Sequence, residues 1–202
     1  METLKEFQAW RLQQSGLPLK TTENYPIAPF YRAEIALCNF WIFDRLGLFY
    51  TFSSTGARTT MSDYSGRVTL DALIDGNQLG LSLQKDLSQV GPVILGVYVD
   101  GSRMLSSLRT TDYLKLEEPA NTAQKDSYDF RAKGYSVEPG IAVKYQLNPL
   151  EFQLTVGHLL DFSGKLYSKS NKNQWLQVNQ TEIKPEWSGL RFGLQCALVF
   201  GS

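Results

Sequence analysis

Residues 135–146 read YSVEPGIAVKYQ, and two kinds of side chain alternate along them. One set of alternate positions is apolar and has a tyrosine at each end, Tyr135 and Tyr145. The other set carries Glu138 and Lys144 among serine, glycine and alanine. Because successive side chains of a β-strand point to opposite faces of its sheet, this pattern predicts a strand with one apolar and one small, polar face.

The same period of two returns along most of the chain after Phe30. It is visible in residues 30–37, 47–53, 67–75, 95–100, 152–163 and 187–200. Only residues 2–14 have helical spacing, and Gly16 and Pro18 end that stretch. We therefore predict an all-β fold, an antiparallel up-and-down transmembrane β-barrel of about eight strands with a short N-terminal helical segment. Residues 1–27 form the N-terminal segment (a short helix or an extra strand), residues 28–200 the barrel, and residues 201–202 a cloning scar.

The strand count leaves one question open. Seven strands can be counted in the pattern, whereas bacterial single-chain barrels have even numbers. The eighth strand then comes from residues 1–27, or Asp75-Gly76-Asn77 forms a turn. The apolar set also changes parity near Gly76, which indicates a β-bulge at that position.

The composition excludes several classes of function. Of the 202 residues, 20 are Lys or Arg and 20 are Asp or Glu, so there is no basic excess for nucleic-acid binding. Apolar runs are too short for a transmembrane helix. One histidine and two cysteines supply neither a metal cluster nor a disulfide framework. We expect no metal, no cofactor and no nucleic-acid partner.

The alternation by itself leaves open which face of the strands is turned toward the interior of the barrel. A soluble barrel buries the apolar face, whereas a transmembrane barrel turns it toward lipid. The polar face has small residues and sparse charges of both signs, and aromatic residues gather at strand ends, which favours the transmembrane barrel. The predicted salt-bridge network of the lumen is Arg32, Glu34, Asp71, Glu138, Lys144, Asp161 and Arg191. The predicted lipid-facing residues are Leu48, Tyr50, Val143, Leu154, Phe192, Leu194, Leu198 and Phe200.

The connections between strands alternate between short and long, which is typical of membrane barrels. The predicted long loops are residues 55–66, 101–127 and 167–186. Apolar and aromatic residues in the two longest loops indicate a surface that binds a partner protein, and we name Tyr113, Leu116 and Trp175 for it.

Three segments, YSVEPGIAVKYQLNP, FQLTVGHLLDFSGKLY and WSGLRFGLQCALVF, resemble the last three strands of small bacterial outer-membrane β-barrel proteins of the OmpA/OmpX-like type. The resemblance implies a location in the bacterial outer membrane. It also implies that the barrel-assembly machinery binds the C-terminal strand, which ends in Phe200. Two features depart from that pattern. Gly201-Ser202 follow the terminal aromatic residue, and no signal peptide opens the chain, so we expect the export signal to be missing from this sequence.

These observations predict a structural or interaction role rather than an enzyme. We expect salt bridges to fill the lumen of this narrow barrel and the surface loops to contact partner proteins or lipopolysaccharide. One version of this role is that of a subunit of a larger outer-membrane complex. Lipid-A deacylase barrels carry a serine two residues after the catalytic histidine, and here Leu160 follows His158. Two alternatives stay open: a narrow pore or lipid-modifying barrel enzyme, and a soluble lipocalin-like carrier of a hydrophobic ligand.

Overall fold

The computed structural model describes residues 1–16, 20–64, 66–116, 122–147, 149–171 and 173–198. Within these ranges, one helix, α1 (Glu2–Ser15), precedes eleven strands. The strands are β1 (Lys20–Asn24), β2 (Phe30–Phe40), β3 (Phe43–Asp63), β4 (Gly66–Val90), β5 (Val93–Leu116), β6 (Ala123–Leu147), β7 (Leu150–Ser163), β8 (Tyr167–Ser168), β9 (Gln177–Val178), β10 (Thr181–Glu182) and β11 (Gly189–Leu198).

Nine strands form one antiparallel sheet, in the order β1-β3-β4-β5-β6-β7-β11. β2 also pairs with β3, and β8 pairs with β6, while β9 and β10 form a separate small hairpin. The predicted antiparallel all-β fold with an N-terminal helix is therefore confirmed. Among the described residues no hydrogen-bonded ladder joins β2 to β11, so the sheet keeps two free edges and is not closed into a barrel.

The N-terminal 27 residues contain both a helix and a strand. β1 pairs with residues 57–60 of β3, and β2 pairs with residues 43–53 of the same strand. The two strands therefore share one neighbour, and β1 is too short to count as a full eighth strand. Seven long strands remain, from β2 to β7 and β11.

Two of the predicted long loops are strands. β3 and β4 pair as far as Asp63 and Gly66, and β5 continues to Leu116. Tyr113 and Leu116 consequently lie on a strand, and their assignment to a loop is wrong. The serine- and threonine-rich stretch 55–63 has the composition of a loop, but its backbone pairs with β4 residue by residue. Such pairing is non-local and leaves no mark on the local sequence.

We call one end of the sheet the lower end. There, two-residue connections at 41–42 and 91–92 join successive strands, and β6 and β7 pair as far as Leu147 and Leu150. The sheet also curls, because side chains of strands that are not neighbours meet: Arg45 of β3 lies 3.0 Å from Glu151 of β7. We call the side of the sheet that holds this contact the inner face. The lower half comprises β2, residues 43–53, 76–90, 93–103, 135–147 and 150–158, and β11; the upper half is the remainder of β3 to β7.

The polarity of the inner face reverses between the two halves. In the upper half, Ile74, Met104 and Leu108 are fully buried on the inner face and pack against Leu4 and Phe7 of α1. In the lower half the inner face carries charged and amide side chains, and the apolar residues are exposed on the outer face. The helix thus fills the upper half, and ionic groups fill the lower half.

Gly76 lies at this reversal, but neither as a bulge nor in a turn. It pairs regularly with Ser53 and Ser106, and the register shift of β4 falls between Asp86 and Ser88 instead. A Cβ atom at position 76 would lie 2.9 Å from the indole ring of Trp187. Glycine is needed for that close approach. The change of parity in the sequence arises because the apolar residues of β4 lie on the inner face above Gly76 and on the outer face below it. Within the described ranges, no helix combines the length and the apolar character that crossing a membrane requires.

Candidate functional site in the lower half

Two arginines of β2 and β3 bind three acidic groups on the inner face of the lower half. Arg32 contacts Glu34 at 2.6 Å and also the carboxylate of Asp100 on β5. Arg45 lies 3.2 Å from Glu34 and 3.0 Å from Glu151. All five side chains are at most about one-seventh exposed, which makes this a largely desolvated network. Buried charges persist only when they are paired in this way.

A second group of polar side chains surrounds Glu138 of β6. Arg191 of β11 lies 3.3 Å from its carboxylate and donates a hydrogen bond of 3.1 Å to Gln78. The Tyr98 hydroxyl donates to the Glu138 carboxylate at 2.9 Å. Nearer the lower end, Lys144 pairs with Asp86 at 2.7 Å. Opposite charges from all seven long strands, β2 to β7 and β11, are therefore held together across the interior.

Glycines on the inner face make room for these groups. A Cβ atom at Gly157 would lie 2.8 Å from a carboxylate oxygen of Glu138 and would also collide with the Tyr98 hydroxyl. A Cβ atom at Gly47 would meet the side chain of Glu34 in the same way, with the Glu34 Cδ atom at 2.8 Å. The small residues that alternate with the charged ones on the inner face therefore provide the space that the charged side chains occupy.

Little empty space is left between these side chains. The cavity among Arg32, Tyr98, Asp100, Glu138 and Arg191 has a volume of about 20 Å³. Such a volume holds about one water molecule. Two buried oxygens at its wall, Asp100 Oδ1 and Gln153 Oε1, have no hydrogen-bond partner within the described part of the protein. This enclosed pocket therefore has room for a bound water and not for an organic solute.

The structure places five of the seven predicted lumen residues in this interior: Arg32, Glu34, Glu138, Lys144 and Arg191. The assignment of Asp71 is wrong, because it lies on the outer face of the upper half and binds Arg58 at 2.8 Å. Its neighbours Leu70 and Ala72 are buried in the upper core. Because successive side chains of a strand point to opposite faces, Asp71 points outward.

Asp161 lies on the inner side of β7 but outside the ionic network. Its carboxylate accepts hydrogen bonds from the Trp187 backbone N–H at 2.9 Å and from the Ser163 hydroxyl at 2.5 Å. It therefore fixes the chain that leads into β11, and its predicted role in the salt-bridge network is wrong.

The prediction from the sequence did not include four members of the network: Arg45, Asp86, Asp100 and Glu151. Asp100 follows the parity of Gly96 and Tyr98 and could have been found from that alternation. Arg45 and Glu151 stand next to short turns, where a charged residue is ordinarily solvated. Only the curling of the sheet brings them together.

The outer face of the lower half is a band of exposed apolar side chains. The predicted lipid-facing residues lie in this band, with exposed fractions from 41% for Val143 to 75% for Leu194. Phe200 lies outside the described residues. The sole histidine, His158, is also on this exposed face of β7. The set is Leu48, Tyr50, Val143, Leu154, Phe192, Leu194 and Leu198.

Trp175 belongs to the segment between β8 and β9 at the upper end. It forms a bridge with Tyr167, and the ammonium group of Lys165 lies 4.1 Å from the centre of its ring. Its side chain is 45% exposed. Trp175 is therefore on a surface segment, apart from Tyr113 and Leu116 on β5.

A cavity of about 1630 Å³ separates the free edges of β2 and β11. Residues of 30–39 border it on one side and residues of 189–198 on the other. Its wall also includes Arg45, Asp86, Lys144 and Glu151, so the cavity opens into the lower interior beside the ionic network. The Phe30 ring spans the gap: it reaches Gly193, and the Arg191 guanidinium lies 5.2 Å from its centre. The two edges therefore face each other across this gap.

The described residues include no group of three histidine, cysteine, aspartate or glutamate side chains placed to hold a metal ion. Cys38 and Cys196 are exposed free thiols. Comparison of the chain with protein-family models, with curated proteins and with solved structures finds no match.

Proposed function

We propose that this chain is a bacterial outer-membrane β-barrel with a structural or interaction role. The observation that carries the proposal is the distribution of polarity in the lower half, where Arg191 and Glu138 are buried and Phe192 and Leu194 are exposed. In water this arrangement exposes a large apolar surface. In a bilayer the same surface contacts hydrocarbon, and its burial becomes favourable.

The height of the band supports this assignment. On β6 the outward residues from Tyr145 to Tyr135 span eleven residues, with a tyrosine at each limit. At about 3.3 Å for each of the ten steps between them and a tilt of about 40°, they cover roughly 25 Å along the membrane normal. Membrane barrels have an apolar band about 25 Å tall between two aromatic girdles.

A bilayer also requires that the free edges of β2 and β11 be paired. Unpaired backbone N–H and C=O groups cost several kcal/mol each in hydrocarbon. The edges face each other across a gap that Phe30 already spans. We therefore propose that they join in the membrane, which closes the sheet into a barrel of seven long strands. Because β2 and β11 both run from the upper to the lower end, this closing pair would be parallel and the strand number odd, unlike the even number of bacterial single-chain barrels.

The filled interior favours a role other than conduction. The enclosed pocket among Arg32, Glu138 and Arg191 has only about 20 Å³, and we propose that closing the larger cavity between β2 and β11 leaves no passage for a solute. The upper half extends beyond the band and presents Trp175 at its end. We propose that the upper half contacts a partner protein or lipopolysaccharide. One version of this role is that of a subunit of a larger outer-membrane complex. We also propose that the barrel-assembly machinery inserts the protein through β11.

Membrane insertion is tested by refolding the full chain with and without phospholipid vesicles. We expect folded protein to float with the vesicles on a density gradient and to stay with them after a carbonate wash. Without lipid or detergent we expect aggregation. A folded, monodisperse β protein in detergent-free buffer would contradict the proposal and favour a soluble carrier. Measurement of single-channel conductance separates the filled interior from a pore.

A further inference from the structure

Three basic side chains lie side by side on the outer face, at the upper limit of the apolar band. Arg103 is opposite Tyr135 in the β5–β6 register, and Lys133 and Arg131 are the next outward residues of β6. All three are exposed. Arg103 and Lys133 are diagonal neighbours, which in an antiparallel pair are about 7–8 Å apart. Arg131 lies about 7 Å beyond Lys133 on the same strand, so the three charges form an elongated triangle along the outer face.

These three side chains lack an ion-pair partner in the described part of the protein, and the attraction between Arg131 and Asp129 acts over a longer distance than an ion pair. None of them forms an ion pair or a side-chain hydrogen bond there. The adjacent carboxylate of Asp129 is occupied by Arg109 at 2.9 Å and lies 3.9 Å from Lys169. Asp75, two strands from Arg131, accepts a hydrogen bond from Ser54 at 2.7 Å. Neighbouring like charges repel each other, and a bound anion would remove that repulsion.

The level of the triangle indicates which anion is available. Below it come Tyr135, Val137 and the rest of the apolar band, and above it the outer face becomes polar. A charge at this height meets lipid headgroups. Membrane barrels have short turns on the periplasmic side, so the lower end of this chain faces the periplasm and the triangle faces the outer leaflet.

We infer that Arg103, Arg131 and Lys133 bind the phosphate groups of lipopolysaccharide. The inference rests on the proposed membrane location; it selects lipopolysaccharide from the two proposed partners and names a site for it. Guanidinium groups bind phosphate oxygens in pairs, and the lysine adds a point charge. Two phosphates on one lipid headgroup match three cations spread over two strands better than the single phosphate of a glycerophospholipid does.

The test compares three lipids and two variants of the full chain in detergent micelles. The lipids are lipid A with both phosphates, lipid A without phosphates, and phosphatidylglycerol. The variants are Arg103→Gln/Arg131→Gln/Lys133→Gln and a control, Lys5→Gln/Arg67→Gln/Lys125→Gln. The control removes the same charge from exposed positions outside the triangle. Affinity is measured by native mass spectrometry.

We expect the parent chain to prefer bisphosphorylated lipid A over both other lipids. Each interfacial cation contributes about fivefold to the binding of an anionic lipid, so the triangle variant should bind lipid A roughly 100-fold more weakly. The control variant should bind it like the parent. Equal losses in both variants, or equal affinity of the parent for phosphatidylglycerol, would overturn the inference. Failure of the parent to enter vesicles would instead contradict the membrane proposal.

Discussion

Replacement of Arg191 by methionine removes the cation that neutralises Glu138 and keeps most of the apolar stem. The Glu138 carboxylate would retain the Tyr98 hydroxyl as a donor at 2.9 Å, but its charge would be unpaired in an interior where its side chain is 10% exposed. An uncompensated buried charge costs about 3–5 kcal/mol of stability. At a slope of about 2 kcal/mol per M urea, the unfolding midpoint falls by about 2 M.

The assay is urea unfolding of vesicle-inserted protein, followed by tryptophan fluorescence. The double variant Arg191→Met/Glu138→Gln removes both charges and keeps a side chain that the Tyr98 hydroxyl can still bond. We expect it to recover most of the lost stability, because the cost comes from the unpaired charge. As a control, Arg109→Met breaks the exposed pair with Asp129 and should have little effect. Equal midpoints for Arg191→Met and Arg109→Met, or no recovery in the double variant, would refute the buried network.

Three further predictions follow from the faces of the strands. Leu194→Arg places a charge in the apolar band and should cost about 2–4 kcal/mol of insertion free energy, measured as refolding yield in vesicles. Cys196 lies in the same band, so a water-soluble maleimide should fail to label it in vesicles and label it after unfolding. The hydrogen bond from Arg109 lowers the pKa of Asp129 below its usual value of 3.8, so the pair stabilises the fold above that pH and this stabilisation disappears as the pH falls through the folded-state pKa. Because the pair is exposed, the urea midpoints of the parent and Asp129→Asn should differ by at most about 0.5 M at neutral pH and converge in acid.

Each of these predictions has a control. Thr111→Arg puts the same charge on the outer face of the upper half and should refold like the parent. Labelling is done in a Cys38→Ser background, so that Cys196 is the sole thiol. Rapid labelling of Cys196 in intact vesicles would contradict its placement against lipid. A difference between the parent and Asp129→Asn that persists at the lowest pH would mean that its origin is not the Asp129 charge.

The alternation of apolar and polar residues predicts the faces of a strand correctly where it continues along the whole strand. On β7 and β11 the alternation of apolar and polar residues is continuous, and the outward positions Leu154 and Phe192 are exposed as the pattern indicates. On β4 the same rule gave the wrong side for Asp71, because the apolar residues below Gly76 face outward and those above it face inward. Alternation distinguishes two faces, but it does not say which of them is turned inward.

The period of two in the sequence was enough to determine that this chain forms antiparallel strands with one small, polar face and one apolar face. Only the tertiary structure decided where each strand ends, that α1 fills the upper half, and that Arg45 meets Glu151. The physical reason is that periodicity reports local geometry, whereas these features depend on contacts between residues far apart in the chain. Strand pairing, core packing and buried ion pairs are all set by which surfaces the curled sheet brings together.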